Sequence, residues 1–380
     1  MSIKRLLNLE SLIQKKSFFL FGPRATGKTT LIKETLREPN YQLINLLNSD
    51  MRLKLLQRPS LLPELLEPGK KGYIIDEIQK IPELLDEVHS LIQEKKYHFL
   101  LTGSSARKLR RGHANLLAGR ARTAHFFPLC YPEISSFDLM KRLTIGGLPE
   151  VFLSEDPYDD LKAYIDTYLK EEIMAEGLVR NIGGFARFLT VSAQMSGQLL
   201  NYAAVGSDAM VSESTVRGYY QILSDTLLGE ALEPWVQSKK RKAIQTVKFY
   251  LFDTGVTHAL LDIRQLSEKT DAFGKAFEAW IYSEIKAYLS YRRKHERLTY
   301  WRSVSDHEVD FCIGETVAIE AKAKRNTAER DLSGLRALAE EKIFKKYILV
   351  SLDPIESRND GIFRMHWKKF IERLWNDEIT

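Results

Sequence analysis

The residues with the clearest chemical spacing form the segment GPRATGKTT, between Gly22 and Thr30. An apolar run, SFFLF, precedes it and is typical of a buried parallel strand, and LIKETLRE follows with helical periodicity. A strand, G-x-x-x-x-G-K-T and a helix together predict a loop whose backbone N–H groups bind phosphate oxygens. The nucleotide would be ATP or ADP: Lys28 would bind its β-phosphate and, in ATP, the γ-phosphate, and Thr29 would bind Mg²⁺. The predicted nucleotide contacts in this segment are Gly22, Pro23, Arg24, Ala25, Thr26, Gly27, Lys28, Thr29 and Thr30.

Two carboxylates follow the next candidate strand, where residues 73–77 read YIIDE. An acid at this place in a phosphate-binding fold holds the same Mg²⁺ as the loop, and we predict this role for Asp76. The adjacent Glu77 is predicted as the catalytic base that polarises the attacking water. This second carboxylate favours hydrolysis of the nucleotide over binding alone.

Polar and basic groups after a third apolar run, residues 97–101, are candidates to contact the γ-phosphate. Thr102 and Ser104 are both candidates to sense it, and the sequence does not choose between them, so Ser104 is kept among the predicted nucleotide contacts. Arg120, in LLAGRA, is predicted as a catalytic arginine that stabilises the transition state. It would act in its own chain or in a neighbouring subunit, and the second case implies a homo-oligomer.

Composition limits the class of protein. The chain has 380 residues, 44% of them hydrophobic, with 56 Lys and Arg against 50 Asp and Glu, a net charge of +6. This composition excludes wholesale disorder, and the mild positive charge permits a nucleic-acid partner without requiring one. Two cysteines form neither a disulfide framework nor a metal-binding pattern. Because we find no secretory signal and no apolar run long enough for a membrane span, we expect a cytoplasmic protein.

Four segments resemble, in order, the motifs of a prokaryotic family of AAA-type ATPases with a C-terminal region of unknown function. They are GPRATGKTTL, YIIDEIQKIP, FLLTGSSARKL and LAGRARTAHFFPLCYPEI. Three later segments, GGLPEVF, FYLFDTGV and GKAFEAWIYSEI, resemble further signatures, so the likeness runs over most of the chain. The resemblance implies nucleotide and magnesium roles for the loop residues, Asp76 and Glu77, and it favours Arg120 as the catalytic arginine.

The middle of the chain is predicted to be helical. Helical periodicity runs over residues 137–175 and 185–200, and a helix that begins near Ser212 precedes a candidate strand, LLGEALEPWV. This order resembles a winged helix-turn-helix, in which the second helix enters the DNA major groove. The basic run KKRK (239–242) is a further candidate for phosphate contact. The alternative is a winged helix that serves packing or protein contacts, because the helix is not strongly basic. The residues predicted to face the groove are Ser214, Thr215, Arg217 and Gln221.

A helix and a hairpin near the C-terminus carry acidic residues and a lysine. The helix begins near Phe273 and carries Glu278, while residues 308–313 (EVDFCI) and 316–323 (TVAIEAKA) alternate as two strands. An Asp followed by E-x-K on the next strand resembles the restriction-endonuclease-like fold of the PD-(D/E)xK nuclease superfamily. Val309 replaces the proline that precedes the aspartate in that superfamily.

The second resemblance implies a second metal site. Asp310 and Glu320 would bind Mg²⁺ or Mn²⁺, and Glu278 would complete the shell of the metal. Lys322 would orient the attacking water and offset charge in the transition state. The alternatives are a solvated, charged hairpin and an inactive nuclease fold kept for structure.

The chain is therefore predicted to be an α/β protein with three domains. These are an AAA-like P-loop ATPase domain (1–135), a helical lid with a winged-helix-like region (136–240), and a restriction-endonuclease-like domain (241–380). The favoured function is ATP hydrolysis coupled to a nucleic-acid-directed domain with Mg²⁺-dependent nuclease capacity, with DNA as partner and RNA left open. The alternative is a nucleotide-dependent switch whose inactive nuclease-like domain serves docking or oligomerisation. A nucleoside kinase is disfavoured, because the Asp76–Glu77 pair and the long C-terminal extension fit hydrolysis better.

Overall fold

Contacts divide the chain into two units. The computed structural model describes residues 3–103, 117, 119–169, 179 and 181–380. The first unit comprises Met1–Leu129 with Asp225–Leu228, and the second comprises Cys130–Ser224 with Gly229–Thr380. Each unit contains a β-sheet and helices, so both are of the α/β class.

The first unit is built on a five-stranded sheet in which every neighbouring pair of strands is parallel. The strands are β1 (Phe18–Phe21), β2 (Tyr41–Asn45), β3 (Gly72–Asp76), β4 (Phe99–Gly103) and β5 (Arg122–His125), in the order β2-β3-β4-β1-β5. Strands β1, β3 and β4 are buried along their whole length, which explains why each reads as a continuous apolar run. The helices described in this unit are α1 (Leu9–Lys15), α2 (Lys28–Thr35), α3 (Ser49–Gln57), α4 (Leu62–Leu65) and α5 (Leu84–Glu94).

The strand order decides which residues meet at the carboxyl edge of this sheet. Strand β4 lies between β1 and β3. Thr102, near the end of β4, is therefore placed between the loop that follows β1 and Asp76, which ends β3. The carboxyl edge of a parallel sheet is where α/β proteins bind their ligands.

The second unit contains a two-stranded and a six-stranded sheet. In the smaller one, β6 (Gly229–Leu232) pairs antiparallel with β7 (Lys248–Leu251). The larger one has the order β12-β13-β11-β10-β9-β8. Its strands are β8 (Leu298–Arg302), β9 (Glu308–Ile313), β10 (Val317–Lys322), β11 (Lys346–Ser351), β12 (Ser357–Asn359) and β13 (Ile362–His366).

One long helix and two shorter ones frame the larger sheet. Helix α13 (Asp271–Tyr291) is followed by the antiparallel strands β8, β9 and β10, then by α14 (Ser333–Ala339) and by β11, which is parallel to β10. Phe277, Trp280 and Ile281 on α13 are fully buried. The helices described from residue 130 onward are α6 (Leu139–Ile145), α7 (Pro149–Leu153), α8 (Pro157–Ala163), α9 (Ile182–Gln194), α10 (Tyr202–Ala209), α11 (Glu213–Asp225), α12 (Thr254–Leu260), α13 (Asp271–Tyr291), α14 (Ser333–Ala339) and α15 (Trp367–Trp375).

Two of the family-like segments, GGLPEVF and FYLFDTGV, meet in the second unit through Asp253. Its carboxylate accepts hydrogen bonds from the backbone N–H of Gly147 at 2.7 Å and of Gly255 at 2.9 Å. Gly146 has φ +76°, and a Cβ there would lie 1.9 Å from Asp253 Oδ1. These two segments therefore have a packing role, because only glycine fits beside the aspartate.

Glu284 is a buried carboxyl group on α13, with the residue only 1% exposed. It accepts hydrogen bonds from Nε1 of Trp280 at 3.1 Å, from Nε1 of Trp375 at 2.9 Å and from the backbone N–H of Tyr131 at 2.9 Å. Burial nevertheless raises the pKa of Glu284 from 4.5 to about 7, because loss of water penalises the charged form more than these donors stabilise it.

Glu284 is expected to make the second unit less stable as the pH rises between these two values. The unfolded chain releases this proton near pH 4.5 and the folded chain near pH 7, so unfolding is increasingly favoured across that window and the loss is complete above it. Since a tenfold difference in proton affinity is worth about 1.4 kcal/mol, the loss is roughly 3 kcal/mol. Glu284→Gln cannot ionise and should lack this loss when chemical unfolding is followed by tryptophan fluorescence at acidic and neutral pH.

Glu315→Gln is the matched control, because Glu315 is exposed. It should keep the pH dependence of the wild-type chain. The same pH dependence in Glu284→Gln and wild type would show that Glu284 is not the group responsible.

Candidate functional site

The phosphate-binding loop (residues 22–27) connects β1 to α2 and has the backbone shape that its sequence predicts. Gly27 has φ +88° and Ala25 has φ +60°, so the chain turns through the left-handed region twice before the helix begins. A Cβ at Gly22 would lie 2.4 Å from the carbonyl oxygen of Phe126. Glycine is therefore required at both ends of the loop.

Lys28 and Arg5 donate hydrogen bonds to carbonyl groups of this loop. Lys28 Nζ donates hydrogen bonds to the carbonyl oxygens of Gly22 at 2.6 Å and Pro23 at 2.9 Å. Arg5 donates to the carbonyl of Thr26 at 2.7 Å, and its guanidinium lies 4.0 Å from the ring centroid of Phe126. Arg5 was not predicted from the sequence, since a single arginine near the N-terminus carries no motif.

A chain of hydrogen bonds joins Thr29, Asp76, Thr102 and Glu77. Thr29 Oγ1 donates to Asp76 Oδ2 at 3.1 Å, and Thr102 Oγ1 donates to Asp76 Oδ1 at 2.5 Å. The backbone N–H of Glu77 donates to Thr102 Oγ1 at 3.0 Å. The hydroxyl of Thr29 and the carboxylate of Asp76 thus lie side by side, a pair of hard oxygen ligands that fits Mg²⁺.

Glu77, at the end of this chain of hydrogen bonds, has an unusual backbone conformation. It has φ +63°, in the left-handed region that is sparsely populated by residues other than glycine. The Gln79 side chain donates a hydrogen bond to its carboxylate, and both residues are buried. Strain of this kind recurs at functional sites, and the sequence could not have indicated it.

The other two candidates in the first unit are Ser104 and Arg120. Ser104 lies outside the described residues, whereas Thr102, the other γ-phosphate candidate, is the residue that contacts Asp76. The Arg120 guanidinium lies beside α5. With the side-chain amide of Gln93 in its flipped orientation, Arg120 Nε donates a hydrogen bond to the Gln93 oxygen at 3.1 Å. Among the hydrogen bonds and ion pairs of the described residues, none joins Arg120 to residues 22–30.

In the second unit, the hairpin of β9 and β10 brings Asp310, Glu320 and Lys322 together. The register pairs Ile319 with Phe311, and Asp310 Oδ2 accepts a hydrogen bond from the backbone N–H of Ala321 at 2.9 Å. Lys322 forms an ion pair with Glu320 Oε1. Glu320 Oε2 is buried and has no hydrogen-bond partner within the part of the chain that the structure describes.

Lys248, on β7, inserts its ammonium group among the neighbouring acids. Lys248 Nζ lies 2.5 Å from Glu308 Oε1, 3.3 Å from Glu278 Oε1 and 3.7 Å from Asp310 Oδ1, and its side chain is only 3% exposed. Tyr250 donates to Glu278 Oε1 at 2.5 Å. Lys248 and Tyr250 are two residues apart on one strand, so they share a face, and this polar alternation in KFYL was the available signal.

Four acids and two lysines meet in this region. We call Glu278, Glu308, Asp310 and Glu320 the carboxylate cluster; its lysine partners are Lys248 and Lys322. Burial, together with the neighbouring Asp310, raises the pKa of Glu320 well above its usual value.

For the two lysines, the neighbouring acids outweigh the effect of burial on the pKa. Burial alone would lower the pKa of Lys248, but Glu278 and the other acids raise it above its ordinary value. For Lys322, likewise, Asp310 and Glu320 outweigh burial and raise the pKa. Both ammonium groups therefore stay charged and paired with the acids around them.

The metal site predicted for Glu278, Asp310 and Glu320 is not assembled in this arrangement. Over the described ranges, no group of three or more His, Cys, Asp or Glu side chains is placed to hold a metal ion. The physical reason is Lys248, whose ammonium lies between Glu278 and Asp310. Ligand oxygens must approach Mg²⁺ to about 2.1 Å, which a lysine between them prevents.

A cavity of about 390 Å³ opens beside the carboxylate cluster. Its lining includes Lys248, Glu278 and Glu308, together with the basic residues Lys275 and Arg302 and the segment Ser196 to Leu199. The cavity gives small ions and polar ligands a route to the cluster.

The predicted nucleic-acid contacts of the middle region are partly engaged by the protein itself. Arg217 pairs with Glu213 at 2.6 Å and lies 4.0 Å from the ring centroid of Tyr202. In the run KKRK, Arg241 pairs with Glu340 at 2.9 Å, and the backbone N–H of Lys239 donates to Glu341. Ser214 and Gln221 are exposed and Thr215 is half-buried.

Residues 14–135 match the model of a family described as an AAA domain. This match supports the predicted resemblance to a prokaryotic family of AAA-type P-loop ATPases. The parallel sheet of the first unit is consistent with a P-loop NTPase-like fold. Two further models match: residues 136–267 match a domain of unknown function (DUF8612), and residues 273–370 match another domain of unknown function (DUF4143).

Curated relatives of the chain are uncharacterized proteins. One from Mycobacterium tuberculosis is 28% identical over 302 residues, a match that covers 77% of this chain and 66% of the relative. Another, from Methanocaldococcus jannaschii, is 24% identical over 340 residues and is covered to 73%. The chain thus spans about two thirds of the length of the mycobacterial relative.

Two solved structures have weak similarity to the chain. The structure of Drosophila ORC bound to AT-rich DNA and Cdc6 has 8% identity and a TM-score of 0.21, covering 68% of this chain and 89% of that one. The structure of Can2 from Sulfobacillus thermosulfidooxidans with cyclic tetra-adenylate has 11% identity and a TM-score of 0.22, covering 99% of both chains. Scores this low carry no argument about this chain.

Among the helices that the structure describes, none combines the length and the apolar character of a membrane span.

Proposed function

We propose that the first unit binds ATP with Mg²⁺ and hydrolyses it. The observation that carries this proposal is the hydrogen-bond chain from Thr29 through Asp76 to Thr102, next to Lys28 and the phosphate-binding loop. Loop N–H groups and Lys28 bind the phosphates, and Thr29 with Asp76 would hold Mg²⁺. The bound ion would neutralise charge on the phosphate oxygens. Glu77 accepts the proton of the attacking water.

Calorimetric titration of the full chain with ATP and with ADP tests this proposal. We expect saturable binding, and steady Mg²⁺-dependent release of phosphate from ATP. A well-folded chain that shows no heat with either nucleotide at millimolar concentration would overturn it. Ser104 and Arg120 stay proposals for γ-phosphate contact and for transition-state stabilisation, and Arg120 would act in its own chain or in a homo-oligomer.

We propose further that the C-terminal part of the chain has a restriction-endonuclease-like fold and is directed to nucleic acid, with DNA as the first choice. The order α13, β8, β9, β10, α14 and β11 supports this fold, as does the proximity of Asp310 to Glu320 and Lys322. The position of Lys248 favours the second candidate function, in which this domain docks on its partner without cleaving it.

Incubation of the full chain with supercoiled plasmid and Mn²⁺ distinguishes docking from cleavage. We expect the chain to retard the plasmid in a gel, with an affinity that falls at least about tenfold between low and physiological salt, because phosphate contacts release counterions. We expect no conversion to nicked plasmid. Nicking that Asp310→Asn abolishes would establish cleavage and refute the docking function, and a plasmid that is neither retarded nor nicked would refute the DNA partner.

A further inference from the structure

The carboxylate cluster is short of cations. Four acids share this region with Lys248 and Lys322, and Arg302 adds one contact to Glu308 at 2.9 Å. The ammonium group of Lys248 pairs with three of the acids, at 2.5–3.7 Å from its Nζ to their carboxylate oxygens. Glu320 is 5% exposed, and its Oε2 atom has no hydrogen-bond partner among the described residues. A buried carboxylate oxygen without a donor is desolvated and uncompensated, which favours its neutralisation by a proton or by a cation.

The oxygens of this cluster suit a hard divalent cation. Carboxylate oxygens are the preferred ligands of Mg²⁺ and Mn²⁺. Asp310 lies on β9, Glu320 on β10 and Glu278 on α13. The adjacent cavity, about 390 Å³ in volume, provides an entry path.

Lys248 does not belong to the sheet that carries Asp310 and Glu320. It lies on β7, which pairs with β6. Backbone hydrogen bonds also join the region of β7 to residues 197–200. Gly197 donates to the carbonyl of Phe249 at 2.8 Å, and Leu200 donates to that of Val247 at 2.9 Å. The ammonium group therefore reaches the cluster from a separate structural element, which holds it between Glu278 and Asp310.

We propose that Lys248 is a built-in cation that keeps divalent metal out of the carboxylate cluster, so that the cluster is a latent Mg²⁺- or Mn²⁺-binding site. The choice of metal rests on the proposed restriction-endonuclease-like fold, whereas the exclusion by Lys248 rests on the ion-pair geometry alone. Replacing Lys248 by a neutral side chain removes the competing charge from Glu278 and Asp310, so that a metal ion can bind these acids in its place, next to Glu320.

The test is Mn²⁺ uptake by the nucleotide-free full chain, measured from the loss of the electron paramagnetic resonance signal of free Mn²⁺. Lys248→Met should bind about one Mn²⁺ per chain more than the wild type. Adding Asp310→Asn to that variant should weaken this extra site by about 10- to 100-fold. Lys275→Met is the matched control, because Lys275 lines the same cavity and is exposed, and it should bind Mn²⁺ as the wild type does.

Two results would overturn the proposal. One is a folded Lys248→Met variant that binds no more Mn²⁺ than the wild type. The other is a wild-type chain that already loses one bound Mn²⁺ on Asp310→Asn substitution. Since Lys248→Met leaves buried acids without their cation, its melting temperature is expected to fall and to recover with Mn²⁺ but not with K⁺, and failure to recover would also overturn the proposal.

This test is independent of the proposed function. Mn²⁺ uptake is measured without ATP and without DNA, so a chain that does not hydrolyse ATP or bind plasmid can still show the extra metal site. Conversely, a failed uptake experiment leaves ATP binding by the phosphate-binding loop intact.

Discussion

Replacing Lys28 with alanine is expected to abolish measurable ATP turnover, lowering kcat/KM by at least about 100-fold. The ammonium group belongs to the first residue of α2, and it is held against the carbonyls of Gly22 and Pro23 at the start of the loop assigned to the phosphates. The loss should include nucleotide affinity as well as kcat, because the charge contacts the ground state and the transition state alike. Phosphate release and calorimetric titration with ATP measure the two effects separately.

Lys33→Ala is the matched control for Lys28→Ala. Lys33 lies on the same helix, α2, but is exposed, so its loss should leave turnover within about twofold of wild type. Circular dichroism should show that both variants remain folded. Unchanged turnover in Lys28→Ala would mean that the phosphate-binding loop is not the site of hydrolysis.

Replacing Glu77 with glutamine is expected to lower kcat by about 100-fold or more while ATP still binds. Glutamine keeps the size of the side chain and its contact with Gln79, but it cannot take a proton from water. Asp76, Thr29 and Lys28 are unchanged, so the contacts assigned to the phosphates and to Mg²⁺ persist. A fluorescent ATP analogue measures affinity, which should stay within about threefold of wild type, and phosphate release measures kcat.

The control for this variant is Glu83→Gln, at an exposed position a few residues along the chain. Its kcat should match that of the wild type. If Glu77→Gln hydrolyses ATP at the wild-type rate, another group activates the water. If it loses binding instead, Glu77 holds the strained turn after β3 and has no part in the chemistry.

Lys248 changes how the C-terminal acids should be interpreted. From the hairpin sequence, Asp310, Glu320 and Lys322 read as a metal-dependent site, and they do lie close together. The same side chains with a lysine between Asp310 and Glu278 form an ion-pair network instead. A motif of acids on neighbouring strands therefore predicts proximity, but the charge that fills the space between them is a separate property.

The local features of the protein could be predicted from the sequence alone. The strand before the phosphate-binding loop, the helix from Lys28, the acid at the end of β3 and the hairpin of β9 and β10 all follow from periodicity and from residue types over a few positions. Such patterns are readable because burial of one face or of a whole strand imposes a repeat on neighbouring residues.

The contacts between distant segments, in contrast, depend on the tertiary structure. β4 lies between β1 and β3, and this order gives Asp76 the hydroxyl of Thr102 as a partner. Lys248 is separated from Asp310 by sixty-two positions in the sequence, yet it lies 3.7 Å from it. Spacing along the chain carries no record of such pairs, because they depend on which strands become neighbours and on which side chain then compensates a buried charge.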